Sequence, residues 1–311
     1  MGSTLVQVLL NAGHSVRVLD SLVHGGESLL GVWSHPGFEF QPGDIRERAA
    51  LDRAVSGADA VVHLAAIVGD PACARQPELA RAVNLEASLT LIECCRRASV
   101  QRFVFASTCS NYGKMKDPDR YVDEESELQP VSLYAETKVE VESTLLHNGN
   151  GHKWCATPLR FATIFGVSPR MRFDLTVNEF TLEMLTKKRL VVFGEQFWRP
   201  YVHVRDAARA IQLVLESPAE KVGGRVFNVG STDQNFQKRQ IVELIRKVVP
   251  DATAEFVHKT EDPRDYRVSF SRITNELGFR GTRSVAEGIE EVAALVRGRL
   301  IENLENRRYR N

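Results

Sequence analysis

The sequence predicts an α/β fold, with a doubly wound parallel sheet and a smaller C-terminal lobe. Runs rich in β-branched and aromatic residues alternate with amphipathic stretches up to Gly166, and this alternation is typical of strands joined by crossover helices. Beyond Gly166 the rhythm loosens into a segment rich in Arg, Phe and Asn. At 311 residues with 43% hydrophobic content, the chain is long enough to bury a sizeable core.

The chain opens with a helix followed by a strand. Apolar residues from Leu5 to Leu10 recur at helical spacing, Gly13 follows as a stop signal, and residues 15–20 alternate into a β-rich run. Further β-rich runs lie at 38–44, 58–66, 101–108, 155–166 and 224–230. We expect the last run to add one more strand to the same sheet.

These elements divide the chain into two units. Residues 1–166, together with about 200–230, are predicted to form the sheet domain, and residues 167–199 and 231–311 the lobe. Ligands of doubly wound sheets bind beyond the carboxyl ends of the strands. We therefore expect the chemistry in a cleft between the sheet and the lobe.

Composition excludes several classes of partner and site. Forty basic and forty acidic residues give a net charge of zero, which predicts no nucleic acid or membrane partner. The five cysteines, at positions 73, 94, 95, 109 and 155, have neither metal-site spacing nor an even-numbered disulfide pattern. Cys94 and Cys95 lie in a helical pattern and are expected to be small buried thiols. A reducing cytoplasm and small-molecule or subunit partners fit these features.

Thr108, Tyr134 and Lys138 form the most informative constellation. Thr108 ends a predicted strand in "ASTCSNYG", where its hydroxyl can point into the cleft. Tyr134 and Lys138 are four residues apart in "YAETK", so a helix projects both from one face. Because an ammonium favours a neighbouring phenolate, we expect Lys138 to lower the pKa of Tyr134 and make it a proton shuttle near neutral pH.

With these two motifs, the chain resembles the extended short-chain dehydrogenase/reductases of the nucleotide-sugar epimerase and dehydratase group over essentially its whole length. The resemblance implies a Rossmann-type sheet, NAD as cofactor and a nucleotide-diphosphate sugar as substrate. It also implies that Thr108 orients a hydroxyl, that Tyr134 is the general base and acid, and that Lys138 tunes the tyrosine and holds the nicotinamide ribose. Family members commonly pair through helices beside the sheet, which implies a homodimer.

The resemblance also implies a set of cofactor contacts. Asp20 ends a strand, where a carboxylate accepts hydrogen bonds from both ribose hydroxyls and repels a 2′-phosphate, which favours NAD over NADP. Asp44 and Ile45, in "GDIRE", match the adenine site. The other matched positions are small or apolar residues near the pyrophosphate and an asparagine beneath the strand ends: Gly2, Leu64, Ala65, Ala66 and Asn84. Core packing remains an alternative for residues 64–66.

The family fingerprint is a strand followed by GxxGxxG, whose glycines let the backbone approach the pyrophosphate. Gly2 matches the third glycine, and the sequence lacks the first two and the strand. Because that strand is central in the family's sheet, we expect unpaired backbone on two neighbours, exposed apolar surface, and weak NAD binding or poor folding. A misassigned start or a truncated sequence is the favoured explanation. A degraded relative, or a sheet completed from another chain, are the alternatives.

On the substrate side, the resemblance matches four positions to nucleotide-sugar contacts. Arg199, in "FWRPYVHVRDAARA", and Arg264, in "DPRDYR", match arginines on the diphosphate, and a guanidinium fork suits phosphate oxygens. Asn178 matches an asparagine that contacts the diphosphate. Val192 matches the position where a uracil or thymine ring packs.

Cys109 and Ser110 bear on the reaction type. Sugar 4,6-dehydratases of this family carry an Asp-Glu pair at these substrate-contacting positions, so ordinary dehydration is disfavoured. Cys109 is either an inert small residue or a weak acid in an unusual elimination. Thr163 replaces an asparagine that is common in epimerases. The leading prediction is an NAD-dependent epimerase that inverts C4 through a transient 4-keto sugar; a ketoreductase or atypical dehydratase, or a truncated non-catalytic binding or assembly subunit, are the alternatives.

Overall fold

The computed structural model describes residues 1–115, 117, 120–147, 154–260, 262 and 264–311. The strands in these ranges are β1 (Val16–Asp20), β2 (Phe38–Pro42), β3 (Ala60–His63), β4 (Arg102–Thr108), β5 (Cys155–Phe161), β6 (Thr163–Phe165), β7 (Arg189–Phe193), β8 (Trp198–His203), β9 (Phe227–Val229), β10 (Asn235–Gln237) and β11 (Thr253–Val257). The helices are α1 (Gly2–Asn11), α2 (Arg48–Val55), α3 (Asp70–Arg75), α4 (Pro77–Arg81), α5 (Ala87–Arg97), α6 (Leu133–His147), α7 (Thr176–Thr186), α8 (Val204–Glu216), α9 (Ala219–Val222), α10 (Lys238–Val248), α11 (Ser271–Leu277) and α12 (Val285–Arg297).

The predicted parallel sheet is present in two pieces. One piece pairs β1 with β2, and the other has the strand order β3-β4-β5-β9, with parallel pairing throughout. β1 and β3 are each an end strand, and residues of both line a common cavity. The predicted parallel sheet is therefore present, and no strand in the described ranges pairs with both β1 and β3.

Helices cover both faces of the larger piece, as the alternation along β4 requires. Val104 and Ala106 pack in an apolar cluster with α1 and α8, whereas Phe103 and Phe105 pack in a second cluster with α2, α5 and α6. Successive side chains of a strand point to opposite faces, so one strand supplies both clusters. Full burial of a valine or phenylalanine side chain contributes about 1.5–3 kcal/mol to stability.

The β-rich run at 155–166 forms two strands that belong to different sheets. β5 pairs with β4 as far as Thr108 and Phe161, where β4 turns into a 3-10 helix at Cys109–Tyr112. Beyond this point β6 joins β8 and β10 in a three-stranded sheet. Because β8 pairs with β6 from one predicted unit and with β10 from the other, the division of the chain into two units stays a prediction.

The lobe has its own apolar core. β7 and β11 form a parallel pair, and α7, α10 and α12 pack around a cluster that includes Met184, Ile241 and Ile289. The run at 224–230 contributes β9, which pairs with β5 as expected. Cys94 and Cys95 are buried free thiols, also as expected. No helix in the described ranges is both long and apolar enough to cross a bilayer.

Candidate active site

A cavity of about 1470 Å³ extends from the space between β1 and β3 to the carboxyl ends of β3 and β4. Most of the residues that the sequence assigned to a site line this cavity. They are Gly2, Asp20, Asp44, Ile45, Leu64, Ala65, Ala66, Thr108, Ser110, Tyr134, Lys138 and Asn178. The structure therefore brings all the proposed cofactor contacts except Asn84, together with the three proposed catalytic residues, to one cavity.

β4 and α6 position the three proposed catalytic residues. Thr108 is the last residue of β4, and its Oγ1 accepts a hydrogen bond from the Ser110 backbone N–H at 3.1 Å. Tyr134 and Lys138 lie one turn apart on α6, and the Lys138 Nζ is 5.9 Å from the centroid of the Tyr134 ring. All three side chains border the cavity, as the spacing of the two motifs predicts.

Lys138 is a buried cation without a carboxylate partner among the described residues. The residue is 2% exposed, and its Nζ lies 4.6 Å from the centroid of the Phe105 ring. Burial lowers the pKa of Lys138 to about 8. An ammonium has three hydrogen-bond donors, so this one can donate to hydroxyl oxygens of a ligand in the cavity. The donor set thus fits a ribose of NAD.

The expected lowering of the Tyr134 pKa is wrong for this structure. Burial is the largest cause and raises the pKa of Tyr134, and the nearby Cys73 and Asp70 side chains raise it further. Desolvation of the phenolate therefore outweighs the opposing attraction of the Arg172 guanidinium. Burial therefore disfavours the phenolate form of Tyr134.

The acidic residues at the nucleotide end of the cavity differ in their surroundings. Asp20 is exposed at the end of β1, and its Oδ1 accepts a hydrogen bond from the Leu22 backbone N–H at 2.7 Å. Both oxygens of Asp44 accept hydrogen bonds from the Arg46 guanidinium, at 3.0 and 2.6 Å, which lower the pKa of Asp44. An adenine amine at Asp44 would have to share this carboxylate with Arg46. The ribose and adenine assignments stay predictions.

Asn84 and Cys109 do not line the cavity. The Asn84 side chain is 1% exposed and bonds to both backbone groups of Ile67, at 2.8 and 3.0 Å, so it orders the loop after β3. The Cys109 thiol donates to the carbonyl of Arg160 at 3.2 Å within the apolar core, and burial raises its pKa. Both side chains are engaged inside the protein, and the ligand contacts that the resemblance implies for these two residues stay predictions.

Asn178 and Val192 also have structural roles. Asn178 borders the cavity, but its amide donates to the carbonyls of Gly166 and Arg172 and accepts from the Gly166 N–H, so it orders the segment after β6. Val192 is 1% exposed in the core of the lobe, because alternate residues of β7 face inward. The diphosphate contact of Asn178 and the base contact of Val192 stay predictions.

Arg199 and Arg264 contact carboxylates near the cavity. Arg199 Nη2 donates to Asp262 Oδ2 at 2.8 Å, and Arg264 Nη1 lies 2.7 Å from Asp70 Oδ2. Asp262 also accepts a hydrogen bond from the Arg264 backbone N–H at 2.9 Å. Neither arginine lines the cavity. Their contact with a diphosphate stays a prediction.

Three further cavity residues were missed by the sequence reasoning. Arg170 and Arg172 border the cavity, and the Arg-rich composition of "SPRMRFD" was their only signal. Tyr266, in "RDYR", also borders it, and its hydroxyl lies 3.3 Å from Ser110 Oγ. These residues were missed because the residue types alone do not show which loop folds over the cleft.

The cavity at the strand ends, with a tyrosine and a lysine on one helix, agrees with comparisons against known proteins. The model of the NAD dependent epimerase/dehydratase family matches residues 1–230. The chain belongs to this family. A UDP-glucose 4-epimerase from Corynebacterium glutamicum is 27% identical, with 90% of this chain and 87% of the relative covered. A dTDP-glucose 4,6-dehydratase from Streptomyces griseus is 28% identical, with 94% and 90% covered.

Solved structures show the same fold. The UDP-glucose 4-epimerase of Thermus thermophilus in complex with NAD superposes with a TM-score of 0.83 and 26% identity, covering 96% of each chain. Both the family and the Rossmann-type fold that the sequence motifs indicated are thereby confirmed. The matched relatives carry out different reactions on different nucleotide sugars, so family membership alone does not select one activity.

Proposed function

We propose that this protein is an NAD-dependent nucleotide-sugar epimerase that inverts C4 through a transient 4-keto sugar. The proposal is carried by the convergence of Thr108, Tyr134 and Lys138 on one cavity that also reaches Asp20 at the end of β1. The similarity to a UDP-glucose 4-epimerase supports it. A homodimer and a cytoplasmic location are further predictions of this proposal.

The chain's own residues would perform the proton transfers. NAD, when bound, supplies an acceptor and then a donor of hydride for C4. Tyr134, in its phenolate form, would take the proton of the C4 hydroxyl as the carbonyl forms, while the Thr108 hydroxyl hydrogen-bonds the same oxygen. Lys138 would hold the nicotinamide ribose. When the keto sugar has turned over, Tyr134 would return the proton to the C4 oxygen as the alcohol forms again.

The groups that follow Thr108 argue for inversion over elimination. Loss of water from a sugar needs an acid and a base near C5 and C6. Cys109 is turned into the core, and the Ser110 hydroxyl faces Tyr266, so these two positions supply no carboxylate. An epimerisation needs no group beyond those that move the C4 proton and hold the two ligands.

The test is NMR of the products after the purified protein has been incubated with UDP-, GDP- or dTDP-sugars and either NAD or, in a parallel sample, NADH. We expect inversion at C4 without net consumption of NAD. Tyr134→Phe should lower turnover by about 100-fold or more, whereas Tyr121→Phe, at a residue that is 44% exposed, should not. An olefinic product would indicate a dehydratase, and stoichiometric use of NADH a reductase; either would refute the epimerase.

A second comparison tests the weak NAD binding that the divided sheet predicts. One sample is the chain of 311 residues, and the other carries an added β-strand and glycine-rich turn ahead of Gly2. We expect the extended protein to bind NAD more tightly in isothermal titration calorimetry, because the added strand can pair with both β1 and β3. Equally tight binding would contradict that expectation. If neither protein binds NAD, the proposal that this protein is an NAD-dependent enzyme is wrong.

A further inference from the structure

Glu142 is a buried carboxylate on α6 that the proposed mechanism does not use. It lies one turn of helix beyond Lys138 and two turns beyond Tyr134, so the three side chains project from one face of α6. Glu142 is 2% exposed, and Arg160 of β5 donates hydrogen bonds from Nε to both of its carboxylate oxygens, at 3.0 and 3.2 Å. The face of α6 that carries Tyr134 and Lys138 is therefore joined to the sheet by an ion pair.

The same carboxylate holds the end of β4 on both sides of Thr108. Ser107 directly precedes Thr108, and Ser107 Oγ donates to Glu142 Oε2 at 2.8 Å. Ser107 Oγ in turn accepts a hydrogen bond at 3.1 Å from Asn111 Nδ2, in the 3-10 helix that follows Thr108. Glu142 therefore fixes both the strand that leads to Thr108 and the turn that leaves it.

Arg160 adds a second connection to that turn. Its Nη1 donates to the Tyr112 hydroxyl at 3.0 Å, and this hydroxyl donates to Asn228 Oδ1 of β9 at 2.7 Å. Arg160, Tyr112 and Asn228 are at most 4% exposed, so water does not compete for these hydrogen bonds. A satisfied buried network of this kind holds its members in one arrangement.

Proton transfer in the proposed function depends on this arrangement. Thr108 Oγ1 accepts a hydrogen bond from the Ser110 N–H, which leaves its own hydrogen to donate to a ligand oxygen. That oxygen is the one whose proton Tyr134 would move, so the hydroxyl of β4 and the phenol of α6 must meet it together. A displacement of about 1 Å between such groups can lower a rate by about 100-fold.

We propose that Glu142 is a positioning residue, which sets the position of Thr108 relative to Tyr134. It acts through its hydrogen bonds to Ser107 and Arg160. The inference rests on the proposed function, because that reaction is what requires Thr108 and Tyr134 to act on one oxygen. It goes beyond that function, because it assigns a role in the reaction to a residue that does not line the cavity.

Ser107→Ala tests the connection with the least disturbance, because it removes one hydroxyl and keeps the ion pair. We expect kcat for C4 inversion to fall by about tenfold or more, with KM and the Kd of NAD nearly unchanged. In a Thr108→Ala background, Ser107→Ala should cost no further activity, because no hydroxyl is left to position. The matched control is Ser217→Ala, which removes a buried serine hydrogen bond at the end of α8, to the Leu213 carbonyl at 2.7 Å, and should leave kcat unchanged.

The double variant Arg160→Met/Glu142→Leu separates positioning from stability. In urea denaturation it should recover more than half of the free energy of unfolding that Arg160→Met loses, while its kcat stays at least about tenfold below that of the wild type. A kcat that recovers together with the free energy of unfolding would overturn the proposal. A loss in Ser107→Ala that adds fully to the loss in Thr108→Ala would overturn it as well.

Fluorine NMR gives a readout that does not need turnover. The protein is labelled with fluorotyrosine, and the resonance of Tyr134 is identified by its loss in Tyr134→Phe. This resonance should shift in Ser107→Ala and stay in place in Ser217→Ala, because only the first change frees the end of β4 from α6. An unshifted resonance in Ser107→Ala would overturn the positioning role. A shifted resonance in a protein that inverts no nucleotide sugar would support that role and refute the proposed function.

Discussion

Replacement of Lys138 by methionine should show separately how the buried ammonium affects the stability of the fold and how it affects activity. Lys138 is 2% exposed, and no described carboxylate neutralises it. Methionine has a similar length and no charge, so it can occupy the same space. We expect Lys138→Met to lose activity, because no ammonium remains to hold a ribose. We also expect its stability relative to the wild type to depend on pH.

The size of this dependence follows from the pKa of Lys138, which burial lowers from an ordinary value of 10.5 to about 8. One pKa unit corresponds to about 1.4 kcal/mol, so the charged form is disfavoured in the folded protein by about 3 kcal/mol. Between the two pKa values the unfolded chain binds more protons, and the stability of the wild type therefore rises with pH. From pH 7 to 9.5 the wild type should gain about 2 kcal/mol relative to Lys138→Met.

Urea denaturation at several pH values between 7 and 9.5 measures this difference. Lys187→Met is the matched control, since Lys187 is an exposed lysine whose side chain is 56% exposed and paired with Glu183. The control should differ from the wild type by an amount that is nearly independent of pH in this range. A difference between wild type and Lys138→Met that stays flat from pH 7 to 9.5 would refute the assignment of Lys138 as a desolvated ammonium.

Two predictions about the free energy of unfolding, measured by urea denaturation, test a tight turn and a buried ion pair near the site. A Cβ at Gly113 (φ +67°) would lie 2.1 Å from the Gln129 carbonyl oxygen, whereas one at Gly57 (φ +68°) meets nothing within 4 Å. Gly113→Ala should therefore cost about 2 kcal/mol more than Gly57→Ala, and equal costs would contradict the steric argument. Arg160→Met leaves the buried Glu142 charge unpaired and should cost about 3–5 kcal/mol. Adding Glu142→Leu should recover more than half of that loss; no recovery would argue against a buried ion pair.

The centre of the larger sheet could be predicted because β4 and β5 are buried on both faces. β4 reads as an unbroken apolar run from Phe103 to Ala106, and such runs are typical of parallel sheets covered by helices. The motifs around Thr108, Tyr134 and Lys138 could be located for a related reason. A strand end and one turn of helix fix where a side chain points, whatever the rest of the chain does.

Some predicted site residues lie away from the cavity, because a match of residue type does not show which way a side chain points. Cys109 follows Thr108 directly, but the 3-10 turn that begins there directs its thiol into the core. Val192 lies on a strand of the lobe, and a shift of one position would have faced it outward. The Tyr134 pKa was misjudged because spacing shows the neighbouring charge and does not show the depth of burial.

The division of the sheet has different consequences for the two halves of the cavity. Thr108, Tyr134 and Lys138 belong to β4 and α6, which pack within the larger piece, so their geometry does not require pairing between β1 and β3. Asp20 belongs to the smaller piece, which is joined to the larger one through helix packing and connecting loops. A change in the spacing between the pieces would therefore displace the predicted ribose contact of Asp20 and leave the positions of Thr108, Tyr134 and Lys138 relative to one another unchanged. Weak NAD binding and an intact set of proton-transfer groups are thus compatible in the same molecule.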